Sequence, residues 1–167
     1  MAHIDFYFSP ISPFTYLAMP RFLEVVARHG VEVTYKPLDL MALFPRTGGM
    51  KPADRHPSRM EYRMQELRRQ AKVADLPITL KPAHFPTNQA PPSYAIIAAQ
   101  AAGGGDLGGL VFALLRACWA EEKDIAEDAV IRVALSDSGF DPSLADSGLL
   151  AGAEAYARNL EEAVSAG

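Results

Sequence analysis

Cysteine is nearly absent: the 167 residues hold one, Cys118. A single thiol excludes an internal disulfide and a CxxC redox pair, and with four scattered histidines (His3, His29, His56 and His84) it provides no zinc-ligand spacing, so no metal is expected. Positive charge is also short, with 16 lysines and arginines against 20 acidic residues and a net charge of −4. The electrostatic footprint of a nucleic-acid binder is therefore missing. No run of about 18 apolar residues occurs, and the opening MAHIDFYFSPISPF has no cationic segment ahead of a long apolar one, which reads as a cytoplasmic protein without a membrane anchor. Self-similarity at a period of roughly 20 to 50 residues is lacking, which excludes a repeat solenoid. What is present is an ordinary globular composition, 49% hydrophobic and 22% charged. That suffices for one domain, since a chain of about 150 residues hides roughly 68–70% of its unfolded surface.

The first third of the chain is the most legible. HIDFYF, residues 3–8, is aromatic and β-branched and is stopped by Ser9 and Pro10, as a buried strand with a following turn would be. A helix over 13–29 follows, with Ser12 as N-cap, Pro13 at the first helical position and Gly30 as the left-handed residue beyond its end. Residues 31–36, VEVTYK, alternate as a second strand that Pro37 limits. Strand, helix and strand in so short a stretch form a βαβ unit with two parallel neighbours.

Beyond Leu43 the texture changes. FPRTGGMKPADRHP reads as a long loop, and SRME, residues 58–61, has capping-box spacing for a helix with Met60, Met64, Leu67, Ala71 and Ala74 on its apolar stripe. Arg59, Arg63, Arg68, Arg69 and Lys72 read as its solvated face. A second proline-rich loop leads to an alanine-rich helix over 93–102, followed by helices over 107–120, 127–138 and 149–165.

The stretch that carries chemistry is SPFTYLAMP, residues 12–20. It joins a strand-to-helix turn, an N-cap hydroxyl and a proline deep in the helix, where proline ordinarily costs about 3 kcal/mol. Thioredoxin folds have CxxC at this place and a proline five positions after the second cysteine; the same spacing here reads Ser12, Pro13, Phe14, Thr15 and then Pro20. With the strand DFYF, the segment YKPLDL and WAEEKDI before a later helix, the whole chain resembles the 2-hydroxychromene-2-carboxylate isomerases and the kappa-class glutathione transferases. The resemblance implies an α/β fold, thioredoxin-like with a large helical insertion: 1–43 as the N-terminal βαβ half, 44–148 as the insertion and 149–167 as the helix leading back. It also implies a homodimer.

Glutathione is the implied cofactor and a small aromatic carboxylate the implied substrate. The implied activity is glutathione-dependent cis–trans isomerisation of an aromatic-degradation intermediate such as 2-hydroxychromene-2-carboxylate. Its sulfur would add reversibly to the substrate, with Ser12 as the catalytic residue that donates a hydrogen bond to it; a helix N-terminus favours an anion at that place. Ser12, Pro13, Phe14 and Asn88 are the glutathione-facing candidates. Lys36, Arg46, Lys51 and Arg55 are candidates for a carboxylate, and Trp119 for a hydrophobic pocket.

Plainer readings stand beside these. Ser12 also reads as a plain helix cap, worth about 1 kcal/mol; Thr15 and Tyr16 read better as helix packing than as ligand contacts, and Cys118 as a buried helical thiol. Trp119 is equally good packing material, and His56 and His84 have no partner in sequence. A kappa-like glutathione transferase and a noncatalytic thioredoxin-like binding module are the rival readings. The resemblance also places a cis-proline loop, two antiparallel strands and a closing helix after LEEAVSAG. Those elements, of roughly 30 residues, are expected to be missing from this chain, which would leave the sheet open and the glutathione site incomplete unless a partner protomer or an added strand completes it.

Overall fold

The computed structural model describes residues 2–167; Met1, the first residue of the segment 1–43, lies outside them. Strand β1 (His3–Phe8) leads to helix α1 (Pro13–His29) and strand β2 (Glu32–Pro37), and the two strands pair in parallel with Phe6 opposite Tyr35. The βαβ reading holds with α1 bounded as expected. Ser12 is extended (φ −82°, ψ 118°) and its side chain accepts from Thr15 N, while Gly30 takes φ 59° beyond the last turn. The amides of Gly30 and Val31 both turn back to the carbonyl of Val26, a Schellman-like closure that only a residue tolerant of the left-handed region completes without strain. That closure occupies Val31, so β2 starts one residue later than its alternation suggests and takes in Pro37 at its end.

Helix α2 (Leu40–Leu43) and two single 3-10 turns, Phe44–Arg46 and Pro52–Asp54, give form to the expected loop. Helix α3 (Pro57–Ala74) does not use the SRME capping box: His56 is the N-cap, its ring nitrogen accepting from Ser58 N, and Pro57 occupies the first helical position. Proline, with φ already set and no N–H to lose, starts a helix more readily than the serine after it. The same preference extends helix α4 (Ala90–Ala102) three residues forward, over Pro91 and Pro92 that read as loop. Then follow α5 (Leu107–Trp119), α6 (Asp128–Asp137), the short α7 (Leu144–Ser147) and α8 (Leu149–Ala166).

Helix α5 is the centre of the core. Leu110, Val111, Leu114 and Leu115 are fully buried, each contributing about 1.5–3 kcal/mol by leaving water, and α1, α4 and α6 pack around them. On the other side of α1 the sheet adds an aromatic cluster, with Phe6 stacked on Phe22 and Phe8 and meeting Tyr35 edge to face. Helix α3 lies along α1 through Met64, Leu67 and Ala71. These two packings fix the start of α1 between α3 and the turns that follow the strands. Among the described residues no helix is long and apolar enough to cross a membrane, and no group of His, Cys, Asp and Glu is placed to hold a metal ion.

Candidate functional site

The turn from β1 into α1 is built by its own hydroxyls. Ser9 Oγ accepts from Ile11 N (3.3 Å), Ser9 O accepts from Ser12 N (3.0 Å), and Ser12 Oγ accepts from Thr15 N (3.2 Å). Of the first helical amides, position 13 is proline and has none, and that of Thr15 is capped. The N–H of Phe14 is left without an acceptor among the described residues, and so is the hydroxyl proton of Ser12. A serine hydroxyl accepts with its lone pairs and donates with its proton, so capping the helix leaves Ser12 able to donate outward.

Beside this pair of donors lies a cavity of about 110 Å³, lined by the N-cap Ser12, Pro13 and Phe14 of α1, Leu40 and Met41 of α2, and Phe44, Arg55, Arg63 and Phe85 from the segments opposite. A water claims about 30 Å³ of liquid and a whole drug-sized ligand needs about 300 Å³ or more. The cavity therefore has room for one end of a larger molecule, with the remainder outside it.

A buried polar network braces its floor. Ser9 Oγ–H donates to Gln89 Oε1 (2.5 Å), Gln89 Nε2–H donates to Asp39 Oδ1 (2.9 Å), and that oxygen accepts from Met41 N and Ala42 N to cap α2. Gln89 so ties the turn that carries Ser12 to the helix that carries Leu40 and Met41. Sequence reasoning missed Gln89, because its two partners lie 80 and 50 positions away and no local pattern marks it. Its neighbour Asn88 is exposed, and its side chain accepts from Ala90 N at the entry to α4.

The basic candidates separate. Lys36 reaches Glu162 on α8 (2.6 Å), also touching Asp5 (3.4 Å) and donating to Tyr7 OH (3.4 Å); the hydrogen bond it donates to Glu162 raises its pKa above the ordinary lysine value. Arg46 makes a two-pronged contact with Glu161, also on α8. Neither lines the cavity, and Lys51 is exposed beside it in sequence only. Arg55 does line it, with Nε–H donating to Met50 O (3.0 Å) and its guanidinium over the Phe44 ring.

Arg63 lines it as well, contrary to its reading as part of a solvated face. It is half-buried over the ring of Phe14 (5.7 Å), which stands 43% exposed at the start of α1. An exposed aromatic at Phe14 draws in the guanidinium that helical periodicity alone would leave in water.

The remaining candidates are packed. Tyr16 is fully buried and donates to Pro77 O (2.8 Å). Trp119, 1% exposed, sits behind Phe85 with ring centroids 4.8 Å apart; Phe85 and not the indole faces the cavity. Cys118 is also 1% exposed, and burial pushes its thiol up to about 12, far from the thiolate state that disulfide exchange requires. Asp124 of the WAEEKDI segment accepts from the hydroxyl of Thr87 and from Ala126 N, which hold its carboxyl below the ordinary value; Ile125 beside it is wholly in the core.

Comparison with known proteins agrees with this architecture. The DSBA-like thioredoxin domain family matches residues 3–167. A 2-hydroxychromene-2-carboxylate isomerase of Sphingobium xenophagum is 29% identical over 139 residues, 83% of this chain and 69% of that protein. Glutathione S-transferase kappa 1 of Caenorhabditis elegans is 37% identical over 83 residues, 49% of this chain and 36% of that protein. Among solved structures, a 2-hydroxychromene-2-carboxylate isomerase superposes with a TM-score of 0.76 at 23% identity, over 98% of this chain and 79% of the other. With a family match that runs along the whole of a βαβ unit and its helical body, the chain belongs to the DSBA-like thioredoxin domain family.

Proposed function

We propose that the chain is the glutathione-handling part of an isomerase that converts a 2-hydroxychromene-2-carboxylate-type compound, with Ser12 as its catalytic residue. The observation that carries this reading is the hydroxyl proton of Ser12, without an acceptor among the described residues, at the start of a 17-residue helix and beside a cavity of about 110 Å³. Bound glutathione would supply a sulfur nucleophile whose C–S bond to a conjugated double bond leaves a rotatable single bond; after rotation, breaking that C–S bond would release the isomer and regenerate glutathione. Ser12 O–H and Phe14 N–H donate toward that sulfur, and the helix N-terminus adds roughly half a positive charge behind them. Together they favour the thiolate over a thiol whose ordinary pKa is about 8.5. Pro13 fixes the backbone of the first turn so that the donors are held before any ligand arrives. Gln89 keeps the two turns flanking the cavity in register.

Dithiol exchange is not supported at this site, because positions 12 and 15 carry hydroxyls and Cys118 is buried with its thiol protonated. The kappa-class relative supports transferase chemistry at the same serine as the second reading. Product analysis with glutathione and 2-hydroxychromene-2-carboxylate separates the two. Isomerised substrate with glutathione unchanged is the expected result, consumption of glutathione into a stable conjugate would mean a transferase, and absence of glutathione binding by the full-length protein in calorimetry would leave a noncatalytic module with Ser12 as a cap.

A further inference from the structure

We infer that Arg55 and Arg63 form a carboxylate clamp at the Ser12 cavity and select ligands that carry an anionic group a short distance from the reacting centre. The inference rests on the Ser12 cavity being a ligand site, and it deepens that reading. Both arginines line the same cavity of about 110 Å³ as Ser12. They come from different segments, one from the turn after Pro52–Asp54 and the other from the second turn of α3.

Among the described residues neither Arg55 nor Arg63 pairs with a carboxylate; the same holds for Arg21, Arg59, Arg68 and Arg158, but none of those four lines this cavity. Arg55 uses one N–H on the Met50 carbonyl and rests on Phe44; Arg63 has no hydrogen-bond acceptor and rests on Phe14. A permanently charged group taken half out of water is ordinarily paired. Here two are brought together, and the charge of Arg55 adds to burial in disfavouring the charged form of Arg63.

An aromatic face steadies a guanidinium while leaving its N–H fork free in the ring plane, so Phe14 and Phe44 present the two forks without occupying them. A planar carboxylate accepts such forks through paired hydrogen bonds, which a lone ammonium cannot imitate. An anion there would relieve the repulsion between the two arginines and satisfy donors that the protein leaves open.

Two ligands carry the required group: an aromatic carboxylate substrate and glutathione itself, through its glycyl end. Calorimetric titration of the whole chain and of Arg55→Gln, Arg63→Gln and the double variant with benzoate, glutathione and the glycyl monoethyl ester of glutathione tells them apart. The clamp predicts that the double variant loses about tenfold or more in affinity for a free carboxylate, as expected when charge-assisted hydrogen bonds are removed.

Loss for benzoate with both glutathione forms unaffected assigns the clamp to the substrate, and loss for glutathione but not its ester assigns it to the glycyl end. Arg55→Lys with Arg63→Lys keeps both charges without the forks and should recover only part of the affinity, while melting temperatures show that each variant is folded. Unchanged affinities in the double variant, or a wild-type chain that ignores benzoate and binds glutathione and its ester equally, overturn the clamp. If glutathione does not bind at all but benzoate binding depends on both arginines, the clamp stands and the glutathione reading of Ser12 falls.

Discussion

Ser12 and Cys118 show how placement decides what a side chain can do. The hydroxyl of Ser12 sits at a half-buried helix start, accepts from Thr15 N and keeps its proton available. The thiol of Cys118 is intrinsically far more acidic than any serine, yet burial pushes it up to about 12. Ser12→Ala is expected to cut turnover about 10- to 1000-fold through loss of one preorganised donor, with about 1 kcal/mol of stability lost with the cap; steady-state kinetics at full turnover against the unfolding free energy separates the two effects. Cys118 should be unreactive to iodoacetamide at neutral pH in the folded protein and become modified only on denaturation, as mass spectrometry would show. Rapid labelling of the native chain would contradict its burial. Ser12 was legible because an N-cap, a proline and an aromatic strand are local signals. Arg63 was not, since its direction is set by Phe14, 49 positions away and on another helix.

At the level of elements, the boundaries of α1 follow from Ser12, Pro13 and Gly30, whose preferences are intrinsic to backbone and side chain. The start of α3 was misread because two helix-start signals overlap there and Pro57 prevails over Ser58. The packing of α4 on α8 was invisible in the sequence, although it leaves one mark. A Cβ at Gly152 would lie 2.9 Å from Tyr94 Cβ and 3.1 Å from its Cα, so at this glycine the two helices approach too closely for a larger side chain. Gly152→Ala should therefore destabilise the protein by about 1–3 kcal/mol through overpacking, although alanine is intrinsically the better helix former. Denaturant unfolding tests this, and a neutral or stabilising result would show that the α4–α8 contact gives way freely.

Across the whole molecule, α8 is tied back to β2 by Lys36 to Glu162 and to the turn Phe44–Arg46 by Arg46 to Glu161. Hydrogen bonds from these cations hold both glutamate carboxyls below their ordinary value of 4.5, and Thr87 does the same for Asp124 against 3.8. A carboxyl with a depressed folded pKa binds fewer protons than its unfolded counterpart as the pH falls through that range. The stability it contributes is present above the unfolded value and is lost on acidification. The melting temperature should thus decline as pH falls below about 4.5, and less steeply at high salt, which screens exposed pairs; a melting temperature that rises on acidification would contradict these pairings. The two glutamate links were beyond sequence reading because each joins residues more than 100 positions apart, and Thr87 and Asp124 are 37 apart. The βαβ unit, formed by near neighbours, was readable.

The role of the whole fold reduces to presenting one hydroxyl to a thiol, and the ionisation of that thiol reports on it directly. Ultraviolet titration of thiolate absorbance for glutathione bound to the wild-type chain should place its pKa below the free value of about 8.5, and Ser12→Ala should return it toward that value. The same bound pKa in both proteins would show that Ser12 does nothing to the sulfur, and the proposed mechanism would be wrong.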